Sequence, residues 1–128
     1  MSFFNKIFGD KNEDENNSSS FWKLIEDEND LKTAIATSEN KTVAIFKHST
    51  RCFISKTILR NFEKEVSENQ DNNTEFYFLD LIKFRDISNK IADDFEVRHE
   101  SPQLIVFESG SVKNSASHQD ISLSQITE

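Results

Sequence analysis

The sequence predicts an α/β fold: a three-layer sandwich with a central mixed sheet, parallel crossovers and a C-terminal antiparallel hairpin. Three observations predict it. Two near-continuous apolar runs, TVAIF at 42–46 and FYFLDL at 76–81, have the pattern of strands covered on both faces by helices. Beside them lie two segments with apolar residues at four-residue steps, first Ile54, Ile58, Phe62 and Val66, then Ile87, Ile91 and Phe95. That spacing puts the apolar side chains on one face of a helix. A third apolar run, QLIVF at 103–107, is followed by the turn signal Ser109-Gly110 and a second short strand from Ser111 to about Ala116, which together read as a hairpin.

In chain order, Phe3, Phe4, Ile7 and Phe8 fall on one helical face, but the pattern stops at Gly9 and runs into the acidic, polar stretch DKNEDENNSSS. Residues 1–20 are therefore read as a tail and linker, and 21–128 as the folded domain. FWKLI, from Phe21, is a candidate edge strand. Asp30 is the expected cap of a short helix with Leu31, Ala34 and Ile35 on its buried face. In the helix after residue 52, Lys56, Arg60, Glu63 and Lys64 are expected to point outward. Each crossover helix is expected to return the chain parallel to its predecessor. The final ISLSQITE can begin a last, short helix, whose brevity would leave one sheet face less covered or open to another subunit.

Composition narrows the function. The chain has 128 residues and a formal charge of −8, enough length for one domain and too acidic for nucleic acid or an anionic membrane, which need a basic footprint. One cysteine cannot form an internal disulfide, so a reducing compartment is the natural setting. No membrane span is visible, the first ten residues lack a signal-peptide core, and Ser2 stands where myristoylation needs glycine. A cytoplasmic location is expected. There is no glycine-rich phosphate loop, carboxylate pair of glycosidase type or Cys/His cluster, so nucleotide, glycosidase and mononuclear metal chemistry lack support.

The chemistry centres on Cys52, which falls between the end of strand 42–46 and the start of the helix near Phe53. A helix start presents unpaired N–H groups and about +0.5 charge, which favours a thiolate, and Lys47, His48 and Arg51 are expected to add positive or protonatable groups from the same loop. Phe53 and Ile54 work against this by excluding water. Ser55, three residues on, is expected one helical turn from the sulfur, where its hydroxyl could donate to it. A serine there cannot resolve a mixed disulfide, so an external thiol must complete any turnover. The one proline, Pro102, stands directly before strand 103–107, a position where the missing N–H is tolerated. His48 reads best as a histidine packed under this motif; His99 could meet substrate beside Pro102, and His118 has no assigned role.

FKHSTRCFIS at 46–55, RHESPQLIVFESGSV at 98–112 and SHQ at 117–119 together resemble the monothiol bacilliredoxin (YtxJ-like) family over about Phe21 to Glu128. The resemblance implies a thioredoxin-like fold and a thiol-disulfide oxidoreductase that removes a low-molecular-weight thiol, bacillithiol, from protein mixed disulfides. It implies Cys52 and Ser55 as the catalytic pair and a cis Ser101-Pro102 bond facing the cysteine. Ser101, Pro102, Phe53, Arg51 and His48 would then form the substrate surface. No permanently bound cofactor and no metal are implied; bacillithiol or a similar small thiol is the co-substrate, and S-thiolated client proteins are the partners. One residue departs from the family pattern, which has proline after the cysteine where this chain has Phe53, so redox poise and partner surface are expected to differ. The alternatives are a monothiol glutaredoxin-like iron–sulfur carrier, disfavoured by bulky Phe53 and Ile54 in place of Cys-Gly-Phe-Ser, and a non-catalytic thioredoxin-fold adaptor.

Overall fold

Residues 21–69 and 73–127 are described by the computed structural model. The expected tail and linker, with Phe3, Phe4, Ile7 and Phe8, lie outside these residues. The element order is β1 (Trp22–Leu24), α1 (Glu28–Thr37), β2 (Thr42–His48), α2 (Phe53–Glu68), β3 (Thr74–Asp80), α3 (Arg85–Phe95), β4 (Gln103–Glu108), β5 (Ser111–Ser117) and α4 (Ser124–Thr127), with a single 3-10 turn at His118–Asp120 before α4. The sheet runs β1-β3-β2-β4-β5. β1 and β2 are parallel to β3, and β4 is antiparallel to both β2 and β5.

The apolar run of β2 is explained by its central place. Val43 and Ile45 point to one face and pack with Leu31 and Ala34 of α1 and Ile87 and Ile91 of α3. Ala44 and Phe46 point to the other, against Ile58, Phe62 and Val66 of α2 and against Ile121 and Ile126 near the C-terminus. All four β2 side chains are fully buried, which is the burial expected of a strand covered on both sides. The short C-terminal segment thus closes the α2 face by inserting two isoleucines.

Several expectations need correction. The cap of α1 is Asp27, which accepts from the Asp30 N–H at 2.8 Å, while Asp30 reaches back to accept from the Glu26 N–H at 2.9 Å. This reciprocal pairing satisfies two helix-entry donors and resembles a capping box displaced by one residue. Glu63 does not point outward. It is 7% exposed and accepts from the Trp22 indole N–H at 2.7 Å, because Trp22 packs among Phe46, Phe62 and Phe76 and brings a donor that must be satisfied there. The last crossover is not parallel: the connection after α3 returns the chain to the end of the sheet where β2 finishes, so β4 runs back along it. β2 itself extends two residues past the expected run, making Lys47 and His48 strand residues rather than loop residues. The hairpin forms as expected, with Ser109 (φ 55°) and Gly110 (φ 76°) both left-handed, the backbone demanded by a tight two-residue reversal.

Candidate active site

β2 ends at His48, and Ser49-Thr50-Arg51 turns the chain into α2. The Cys52 N–H donates to the Ser49 carbonyl at 3.2 Å, and the Cys52 carbonyl accepts the Lys56 N–H at 3.1 Å. Cys52 is therefore the N-cap of α2, with extended backbone (φ −104°, ψ 120°) and a side chain that makes no capping hydrogen bond. Its thiol is half-buried beside the unpaired amides of the first helical turn. Phe53 and Ile54 follow on the surface, 80% and 53% exposed, and Arg51 is exposed on the other side.

Ser55 points the opposite way, into the protein. It is fully buried, and its Oγ lies 2.8 Å from His48 Nδ1 and accepts the Ser49 N–H at 3.3 Å. Since Ser49 supplies the donor to Oγ, the Ser55 hydroxyl proton is free to go to Nδ1, which accepts it in the neutral imidazole. Burial pushes the His48 pKa down, in keeping with that assignment; Asp80, its partner across the β2–β3 ladder, pulls it up, and Lys56 pushes it down again. So the serine expected to face the thiol is engaged with His48, and His48 is 4% exposed and pins the Cys52 turn from below, as its reading as a histidine packed under the motif anticipates and not on the substrate surface that the family resemblance implies. The reason is geometric: an N-cap side chain points out of the helix end, whereas the third helical residue faces the sheet.

The Ser101-Pro102 bond is cis. The β2–β4 ladder pairs Lys47 with Gln103, so one step further brings Pro102 level with His48, at the end of the sheet from which the Cys52 turn leaves. The connection carrying Pro102 is held on both sides, by the His118 N–H to the Pro102 carbonyl at 3.1 Å and by Gln103 Nε2 to the Arg98 carbonyl at 2.8 Å. Ser101 is half-buried and Pro102 buried. Cys52, Ser55, His48, Ser101 and Pro102 are thus gathered at one sheet end, with Arg51 and Phe53 on the solvent side.

Lys47 is not part of this group. Alternation along β2 turns it to the α3 face, where it is fully buried and Nζ donates to the Ser88 carbonyl at 3.1 Å. Burial lowers its pKa to about 8. Ser88 Oγ lies 3.3 Å from His99 Nδ1, so His99 also turns toward α3 rather than toward a substrate; burial, then Lys47 and Arg85, push its pKa down. Gln103, opposite Lys47, keeps its Oε1 buried with no hydrogen-bond partner among the described residues. Reading the sequence missed this polar cluster; its one signal was a lysine ending the apolar run TVAIFKH.

Ser55→Ala should lower stability by about 1–3 kcal/mol, because it strands a buried imidazole nitrogen and a backbone N–H. The histidines add a pH dependence of defined sign. With the folded-state pKa values of His48 and His99 depressed, the unfolded chain takes up protons first, so stability is full above about 6.5 and falls as the pH drops below it. Urea denaturation at several pH values checks both. A midpoint unchanged in Ser55→Ala, or stability flat between neutral and mildly acidic pH, would contradict the arrangement.

A sheet of this order, with a thiol at the N-cap of α2 and a cis proline at the same sheet end, defines the chain as a thioredoxin-fold protein. Solved structures agree on the fold. One described as a proposed oxidoreductase with a thioredoxin fold is 29% identical, covers 86% of this chain and 94% of its own, and superposes with a TM-score of 0.72. A Malassezia sympodialis thioredoxin is 23% identical (75% and 77% covered, TM-score 0.60), and mitochondrial thioredoxin 3 of Saccharomyces cerevisiae is 16% identical (78% and 86% covered, TM-score 0.58). The family described as monothiol bacilliredoxin BrxC matches residues 23–126, and the chain belongs to that family. Family and fold together support a thiol redox role. Among the described residues no helix is long and apolar enough to cross a membrane, and no three His, Cys, Asp or Glu side chains cluster to hold a metal ion.

Proposed function

We propose that the protein is a monothiol thiol-disulfide oxidoreductase that removes a small thiol, bacillithiol by family likeness, from S-thiolated client proteins in the cytoplasm. The observation that carries this reading is the placement of the chain's one cysteine as an uncapped N-cap, half-open to solvent, with serine locked inward at the position three residues on. Cys52 thiolate attacks the small-thiol sulfur of the mixed disulfide; a new S–S bond joins Cys52 to the small thiol, and the client leaves as thiolate. A second small thiol, or a reductase, then attacks the cap, forming the small-molecule disulfide and returning Cys52 as thiolate. Neither step needs a bound cofactor.

In this reading Cys52 is the nucleophile and Ser55 the residue that, through His48 and Ser49, fixes the turn presenting it. Ser101 offers backbone beside Pro102 to the incoming disulfide, while Arg51 and Phe53 meet the client or the carboxylates of the small thiol. Intact-mass measurement after exposure to oxidised bacillithiol and, separately, oxidised glutathione tests it. A single adduct on Cys52 that is released by free small thiol is expected, with bacillithiol the faster donor. An adduct that forms but cannot be released by any small thiol would leave an adaptor rather than an enzyme.

A further inference from the structure

Between Arg51 and Lys64 every exposed charge is positive. Phe53, Lys56, Arg60 and Lys64 follow one another at steps of three and four residues, which places them on one face of α2, and all four are exposed. The nearby carboxylates of the helix are committed elsewhere: Glu63 accepts from the Trp22 indole N–H, and Glu65 accepts the Leu123 N–H at 3.2 Å. On other parts of the surface Lys23 and Lys41 pair with Glu75, Lys90 with Asp94 and Lys113 with Glu108, whereas Lys56, Arg60 and Lys64 enter no ion pair among the described residues. Helix electrostatics do not account for the row, because the start of a helix favours carboxylates and the first turn of α2 has none. In a chain of formal charge −8, three uncompensated cations thus lead away from the half-buried Cys52 and its exposed neighbours Phe53 and Ile54.

We propose that this face docks an acidic, extended segment beside the reacting cysteine of a protein client, with an apolar client side chain on Phe53 and Ile54 and Asp or Glu side chains on Lys56, Arg60 and Lys64. Spacing commits the segment to a pattern. Successive cations are four residues apart, about 6 Å along the helix axis. In an extended chain every second side chain points the same way, about 6.7 Å from the last. A client strand lying along α2 therefore meets the row with acidic residues two, four and six positions from its cysteine, since the three cations stand about 6, 12 and 18 Å beyond Cys52.

Charge selects this occupant. A membrane or a nucleic acid presents anionic charge over an area wider than one helix face, and the acidic remainder of the chain repels it. A single strand fits within the row. Net charge alone predicts the opposite selectivity, because a chain at −8 attracts basic peptides and repels acidic ones. That the bound segment belongs to a client rests on the proposed de-thiolation; the charge preference of the face does not.

The test uses the full-length protein and peptides whose one cysteine carries bacillithiol, with Glu, Gln or Lys at the second, fourth and sixth positions on both sides of it. The Glu peptide should be de-thiolated about tenfold faster than the Lys peptide at low ionic strength, three exposed ion pairs each giving about a factor of two. At about 0.5 M salt, where the screening length is about 4 Å, the ratio should fall to about twofold. Arg60→Glu with Lys64→Glu should reverse it. Lys56 is left in place because it acts electrostatically on His48, below the Cys52 turn. A ratio between two peptides also cancels any change in the intrinsic reactivity of Cys52. The same peptides with serine for cysteine cannot react, and there the Glu version should move the backbone amides of Lys56, Arg60 and Lys64 while the Lys version leaves them. Those shifts without de-thiolation of any peptide would uphold the docking face and end the proposed function. Equal rates across the set, a faster Lys peptide, or amides that the Glu peptide leaves unmoved overturns the docking proposal. So does movement of those amides by phosphatidylserine vesicles and not by the Glu peptide, since the occupant would then be a lipid surface.

Discussion

Cys52→Ser is expected to reduce de-thiolation to the rate of the uncatalysed exchange, with no residual turnover attributable to another residue. The chain contains a single cysteine and its lone other sulfur is a methionine thioether, so nothing else can form a disulfide. A serine hydroxyl at the same N-cap could accept the first-turn amides and cap α2 better than the thiol, which makes no capping hydrogen bond. The variant should therefore be at least as stable as the wild type while being inactive, which separates loss of chemistry from loss of fold. Release of a chromophoric small thiol from a model mixed disulfide, followed alongside urea denaturation, measures both. De-thiolation persisting in Cys52→Ser would mean that the protein acts by binding a small thiol for attack rather than through its own sulfur, and the proposed mechanism would fail.

Lys47→Met is expected to raise stability, an unusual direction for a core substitution. Methionine keeps the aliphatic stem of Lys47, which is fully buried against α3, and removes the ammonium. A pKa lowered from 10.5 to about 8 corresponds to a penalty of about 3 kcal/mol for holding the charged form in the fold. Against this stands the hydrogen bond from Nζ to the Ser88 carbonyl, worth about 1.5–3 kcal/mol for a charged donor. Ser88 lies within α3 and retains its helical donor, so its carbonyl is not orphaned and the loss falls at the low end. The net gain should be about 1–2 kcal/mol at neutral pH.

The sign of the pH dependence follows from the direction of the shift. Below about 8 both folded and unfolded states carry the proton, so the penalty is complete; between about 8 and 10.5 only the unfolded state does, and wild-type stability rises. The advantage of Lys47→Met should therefore be largest at neutral pH and shrink steadily toward pH 10.5. Urea midpoints of the two proteins, compared at neutral and alkaline pH, decide the matter. A variant less stable than wild type at neutral pH would show that the Lys47–Ser88 contact, and with it the seating of the His99 connection, outweighs the cost of burying the charge.

The amino-acid sequence by itself determined the layers and the reactive atom. Near-continuous apolar runs, at 42–46 and 103–107, have the pattern of strands covered on both faces, and four-residue apolar steps place their side chains on one face of a helix. Those local rules place Cys52 between a central strand and a helix start, and Pro102 at the head of the next central strand, without any knowledge of the tertiary structure. What only the tertiary structure decided is where polar side chains inside those elements turn. Whether β2 stops at Phe46 or His48 depends on ladder partners in β3 and β4, and that two-residue difference sends Lys47 to the α3 face and His48 to the α2 face. Glu63 lies on a helix whose pattern marks it as outward, yet a distant Trp22 supplies the donor that draws it in. Ser55 binds His48 rather than the thiol for the same reason. A buried polar atom takes whichever partner the packed neighbours bring within reach, and those neighbours are set by pairings far apart in the chain, which no local spacing encodes.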